Sequence, residues 1–167
     1  IGSPGYDSGT TSRALLYSNG QLVDLGGLPT QLPRESQVHD INDAGVIVGA
    51  VCPNMYVVTQ PTAAVWRPTA TGYEVEVLGG LTGDPYSVAW AVNNLGDIIG
   101  ASGFWGWNPD HPILYTDSGP TPLAHYASDI NDQRVIVSGS RLVDLDTGVV
   151  TDIPLPPGNW NGVVSAA

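Results

Sequence analysis

The residues best suited to chemistry fall in one short run, Gly103-Phe104-Trp105-Gly106-Trp107-Asn108-Pro109-Asp110-His111. It holds two of the chain's five tryptophans and its only phenylalanine. Flat aromatic faces stack on sugar rings while neighbouring amide, carboxylate and imidazole groups bond the hydroxyls. Trp105, Trp107, Asn108, Asp110 and His111 are therefore the candidate ligand-binding residues. The blander reading is an apolar plug between structural units. Asn159-Trp160-Asn161 is a second, weaker case of the same composition.

Other chemistry finds little support. No Gly-x-Ser-x-Gly elbow, phosphate loop or dinucleotide fingerprint is present, so no catalytic residue and no cofactor are assigned. Thirteen aspartates offer carboxylate pairs for glycoside cleavage, but too many to single one out. Asp40-x-Asn42-x-Ala44-Gly45 begins like a calcium loop, yet Ala44 stands where an oxygen is needed and the distal glutamate is missing. Asp129-x-Asn131-x-Gln133-Arg134 sets a cation beside the same oxygens. Both read as hairpin turns. The histidines, His39, His111 and His125, lack zinc-site spacing, so no metal is assigned. His39 and His125 read either as hydrogen-bonded histidines near the core or as part of a ring of groups around a channel. Cys52 is the only cysteine. Following the apolar run from Val46 to Val51, it reads as a small buried hydrophobe.

The elements that must position these groups come from a repeat. Asp40-Ile41-Asn42-Asp43-Ala44-Gly45-Val46-Ile47-Val48-Gly49 recurs as Val92-Asn93-Asn94-Leu95-Gly96-Asp97-Ile98-Ile99-Gly100. A degraded copy follows as Ile130-Asn131-Asp132-Gln133-Arg134-Val135-Ile136-Val137-Ser138. Each copy is an apolar residue, an asparagine, a turn and a β-branched run, which is a strand, a tight turn and a second strand. Asparagine bonds backbone two residues on, and Gly45 and Gly96 supply a positive φ. Arg134 stands where glycine is expected, which predicts strain or a changed turn.

Three strands precede each such turn. Arg13 to Tyr17, Gln21 to Leu25 and Ser36 to Ile41 lead to the first turn. Ala63 to Arg67, Tyr73 to Leu78 and Tyr86 to Val92 lead to the second, with Tyr73 to Leu78 alternating cleanly and so half wet. In the third unit His111 to Thr116 is strand one, and Leu123 to Ile130 is expected to hold strands two and three. The units run roughly over 13–52, 63–102, 111–140 and 141–167, and Ile1-Gly2-Ser3 matches the end of a preceding one. The asparagines are spaced 51 and 38 residues apart, near the ~40–50 residue period of four-stranded propeller blades. The fold predicted is all-β, a β-propeller or partial propeller of about three and a half four-stranded blades. A second copy of the chain would complete a seven-bladed ring. A four-bladed closure through Ile1-Gly2-Ser3 is the other arrangement considered.

The 167 residues suffice for a single domain with a sizeable core. Abundant glycine and proline fit short strands with many turns. Sixteen acids against five arginines and no lysine give a net charge of −11, which argues against a nucleic-acid partner. No apolar run is long enough for a membrane helix. The absence of an initial methionine suggests a mature product or an excised fragment.

The pattern Leu25-Gly26-Gly27-Leu28, Ser36, Ile41-Asn42-Asp43-Ala44-Gly45-Val46-Ile47-Val48-Gly49 resembles the HAF repeat of probable extracellular proteins. Leu78-Gly79-Gly80-Leu81, Ser87, Ala89, Val92-Asn93 and Gly96 through Gly100 repeat it. Tyr17, Trp66 and Tyr115 also fit, as structural aromatics closing strand one. The third unit departs at Arg134 and Ser138 and lacks Leu-Gly-Gly-Leu. The resemblance implies a secreted or periplasmic, largely bacterial protein with propeller-like β repeats, and brings no functional residues with it. The expected function is a non-enzymatic binding or scaffold module for glycan or protein. The alternatives are a self-assembling structural unit, and a glycan hydrolase or lyase using clustered aspartates.

Overall fold

The computed structural model describes residues 13–26, 35–52, 60–104 and 110–154. Of these, 58% lie in strands and none in a helix, so the chain is all-β. A two-stranded sheet pairs β1 (Leu15–Ser18) with β2 (Gln21–Asp24). The next sheet runs β3 (Glu35–Ile41), β4 (Ile47–Cys52), β5 (Thr62–Thr69), β6 (Gly72–Val77). The third runs β7 (Tyr86–Val92), β8 (Ile98–Gly103), β9 (His111–Thr116), β10 (Gly119–Pro122). The last runs β11 (Asp129–Ile130), β12 (Val135–Ser138), β13 (Arg141–Asp144), β14 (Val150–Asp152). Every pairing is antiparallel and joins consecutive strands.

Sheet and sequence repeat are out of phase by two strands. Each four-stranded sheet takes its first pair from the end of one repeat and its second pair from the start of the next. The repeat turn therefore always joins the first and second strands of a sheet. Leu123 to Ile130 carries only β11; the preceding strand is Gly119–Pro122.

Three apolar cores lie between successive sheets. Ala14 and Leu25 pack with Ile47, Val51, Ala64 and Trp66. Val48, Ala63 and Val65 pack with Ala89, Ile98, Ile113 and Tyr115. Ala91 and Ile99 pack with Ile130, Ile136 and Val143. Strand alternation supplies both faces: in β4, Ile47 and Val51 point to the preceding sheet and Val48 to the following one. That is why β4 and β8 read as continuous apolar runs and are buried throughout. The outermost strand β6 alternates, as its sequence predicts. Cys52 is buried, and burial followed by the nearby Glu35 carboxylate pushes its thiol up to about 11.

The aromatic closing strand one has a packing role. Trp66 is 0% exposed and Tyr115 8%, each against the preceding sheet, and the Tyr115 hydroxyl donates to the Gly79 carbonyl at 2.9 Å. Tyr17, at the same position of the two-stranded sheet, is 70% exposed. Ser36 and Ser87 have a matching task. Their Oγ atoms accept the N–H groups of Ala14 and Ala63, both at 2.9 Å. In the third unit Pro112 replaces the alanine, has no N–H to satisfy, and His125 replaces the serine.

Candidate functional site

The repeat turns are hairpins of one geometry. Asn42 N–H donates to the Val46 carbonyl at 3.1 Å, Gly45 N–H to the Asn42 carbonyl at 2.9 Å, and Gly45 has φ 77°. The second and third turns reproduce the pattern around Asn93 and Asn131. The oxygens that suggested a cation loop are engaged by protein. Asp40 accepts Ile41 N–H through Oδ1 and Val92 N–H through Oδ2, and Asn42 Oδ1 accepts Val46 N–H. Among the described residues no three His, Cys, Asp or Glu side chains gather as a metal cage.

Three residues before the first and second repeat asparagines, the first strand of the sheet bulges. Val38 pairs with Gly49 and Asp40 with Val48, leaving His39 as the extra residue. Ala89 pairs with Gly100 and Ala91 with Ile99, leaving Trp90. In the last sheet Asp129 pairs with Val137, and Ser128 donates its N–H to the same Val137 carbonyl at 2.9 Å. An extra residue bends a strand and re-aims its own side chain. The partner strand must come very close to accommodate it. A Cβ on Gly49 would lie 2.0 Å from the Gln37 carbonyl oxygen, and one on Gly100 2.1 Å from that of Val88. The third unit carries Ser138 at this position, where β11 starts too late to crowd it.

The bulged His39 and Trp90 meet Ser128, which holds the equivalent position of the third unit, at one pocket of about 320 Å³, completed by Tyr126 and Ala127. The His39 and Trp90 rings lie edge to face, with centroids 4.7 Å apart and planes at 63°. His39 Nε2 is buried and has no hydrogen-bond partner among the described residues. Burial holds the His39 pKa below the ordinary histidine value, so the ring is neutral at pH 7. Burial, then the charge of Asp110, raises the pKa of Tyr126. Among the described residues no charged side chain lines the pocket.

A second cluster sits at the root of the aromatic run. His111 Nδ1 bonds Asp84 Oδ2 at 2.7 Å, and Ser102 Oγ donates to the same oxygen at 2.6 Å while accepting Leu81 N–H. Desolvation pushes the Asp84 carboxyl up, but the bonds from Ser102 and His111 outweigh it and leave its pKa low. The bond to Asp84, then its charge, raises His111. The aspartate is central here, whereas nucleophilic catalysis needs the histidine between serine and acid. The cluster ties the β6–β7 connection to the start of β9.

Of the candidate ligand residues, His111 belongs to this cluster, and Asp110 is exposed with Oδ1 3.9 Å from His111 Nε2. Trp105, Trp107 and Asn108 lie outside the described residues, as does the Asn159-Trp160-Asn161 case. A cleft of about 540 Å³ opens beside the repeat turns, with Arg67, Glu76, Asp97, Asp117 and Arg134 in its wall. Arg67 pairs with Glu76 and Arg134 with Asp97, so much of its charge is already neutralised. Trp90 escaped the sequence reading because it sits inside an ordinary apolar strand. Its position three residues before the repeat asparagine, level with His39, is the signal that marks it.

No family model matches the chain, and no curated protein or solved structure shows significant similarity to it. No helix among the described residues is long and apolar enough to cross a membrane.

Proposed function

We propose that the chain is a non-enzymatic binding module of propeller type, of the HAF-repeat kind and secreted. The single observation behind this reading is the convergence on one pocket of three equivalent repeat positions, two of them strand bulges. Strand meanders packed face to face, with first strands adjacent, are how propeller blades surround a channel, and bulges cluster beside functional sites. The test is a mixed panel of small sugars, aromatic fragments and short peptides, screened by ligand-observed NMR with and without His39→Ala and Trp90→Ala. Binding that either substitution abolishes supports the module. Binding indifferent to both moves the module's site away from this pocket, and turnover of a glycan overturns the reading.

Self-assembly is a second reading, favoured by the two-stranded sheet. Tyr17 and Leu22 face each other across β1 and β2 and are 70% and 64% exposed. A second copy that completes this sheet would cover them. Light scattering over a range of concentrations decides it: a dimer that Tyr17→Ser weakens supports it, and a constant 17.4 kDa mass rejects it.

A further inference from the structure

The pocket's chemistry narrows what it holds. Its walls are an indole and a neutral imidazole set at 63°, with Ser128, whose hydroxyl donates to the Val137 carbonyl and can still accept, at the equivalent position of the third unit and Tyr126 beside it. A volume of about 320 Å³ is near the lower end for ligand pockets, the size of a sugar ring or a short oligosaccharide end. The acids next to the bulges turn away from it. Asp40 spends both oxygens on backbone N–H groups, and Asp129 Oδ1 accepts the N–H of Ile130. An anion gains no cation here and meets a chain of net charge −11. A cation finds no carboxylate in the wall among the described residues. A neutral ligand with one flat C–H face and several hydroxyls satisfies what remains.

We infer that the pocket formed by the bulged residues His39 and Trp90 together with Ser128 binds a neutral pyranose, one ring face on Trp90 and its hydroxyls on Ser128 and His39. His39 is central to the specificity. Its Nε2 is covered and unpaired, and a buried polar atom without a partner is costly. A ligand hydroxyl that turns the imidazole toward the cavity restores that hydrogen bond, so a hydroxylated ligand gains where an apolar one does not. This inference rests on the binding-module reading and specifies its ligand class.

The experiment follows the indole N–H signal of Trp90 in the 15N-labelled full chain. Neutral monosaccharides and their oligomers, glucuronate, and phenol are titrated separately. The expected result is a saturable shift of the Trp90 signal with at least one neutral sugar. Affinity should fall about tenfold or more in Trp90→Ala and His39→Phe, fall more mildly in Ser128→Ala, and be unchanged in Trp105→Ala. Ser128 is exposed, so its variant keeps the test valid if either ring substitution unfolds the chain. Shifts with phenol alone, or with glucuronate in preference to neutral sugars, overturn the ligand class and leave a binding module. Sugar shifts that Trp105→Ala abolishes and Trp90→Ala does not would move the site to the aromatic run and overturn this one. No shift with any probe removes both the ligand class and this pocket as the module's site.

Discussion

The side-chain amide of Asn42 donates to the main-chain carbonyl of Asn93, 2.9 Å away, across the boundary between two sheets. Asn93 does the same to Asn131 at 3.0 Å. One residue further on, Asp43 N–H donates to Asn94 Oδ1 and Asn94 N–H to Asp132 Oδ1, both at 2.8 Å. Each repeat asparagine along this ladder has two tasks. Its Oδ1 closes its own turn, and in the first two units its amide also fastens that turn to the next sheet. The ladder holds the first strands together at one end, close to the bulges at His39 and Trp90 and to Ser128.

Asn93 is the most buried member of the ladder and bonds both Asn131 and Asp97 through its amide. Asn93→Asp keeps the shape but sets an oxygen against the Asn131 carbonyl. It should cost about 2–3 kcal/mol, measured by urea unfolding. A loss below about 0.5 kcal/mol would mean that the ladder is incidental to stability.

Gly49 and Gly100 occupy the closest approaches in the sheets. Gly49→Ala and Gly100→Ala each force a methyl into a backbone carbonyl and should cost about 3 kcal/mol or more. Gly20, whose added Cβ meets nothing within 4 Å, is the control for a turn glycine: only its positive φ is at stake. Thermal unfolding of the three variants should rank Gly20→Ala as the mildest.

Arg134 holds φ 59° where the other turns have glycine, so the turn keeps its shape at a backbone cost of about 1–2 kcal/mol. Its guanidinium bonds Asp97 and Asp146, which offsets part of that cost, though the pairs are partly exposed. Arg134→Ala loses the pairs and keeps the strain. Arg134→Gly loses the pairs and relieves it. Gly should therefore be the more stable variant by about 1 kcal/mol in chemical denaturation. Equal stability would show that the arginine is unstrained.

The tie between His111 and Asp84 should depend on pH in a set direction. The raised His111 pKa means its contribution is complete below the ordinary histidine value, about 6.5, and is lost as pH rises through the higher folded value. The lowered Asp84 pKa means that its contribution is lost only in acid. NMR titration of His111 should give a pKa above that of a free histidine, and Asp84→Asn should bring it down. An unchanged His111 titration in that variant would show that the 2.7 Å bond is not made in solution.

Much of the architecture was legible in the chain. The asparagine-glycine turns, the β-branched runs on both sides and the alternation of Tyr73 to Leu78 are local signals, and each became the element its residues favour. The buried roles of Cys52 and Trp66 were equally visible, because an apolar residue inside an apolar strand has few other places to go. The phase between repeat and sheet was not visible. Strand order within one repeat does not say which neighbour completes the hydrogen bonding, and β1–β2 and β3–β4 prove to belong to different sheets.

The sequence by itself determined the strands, the turns and their recurrence, because period-two burial and positive-φ glycines act over a few residues. Only the tertiary structure decided that His39, Trp90 and Ser128 share a pocket. They are far apart in the chain, and the aim of His39 and of Trp90 depends on one extra residue in the pairing of a first strand with its partner. That bulge is a property of two strands together, so no single stretch of the sequence displays it.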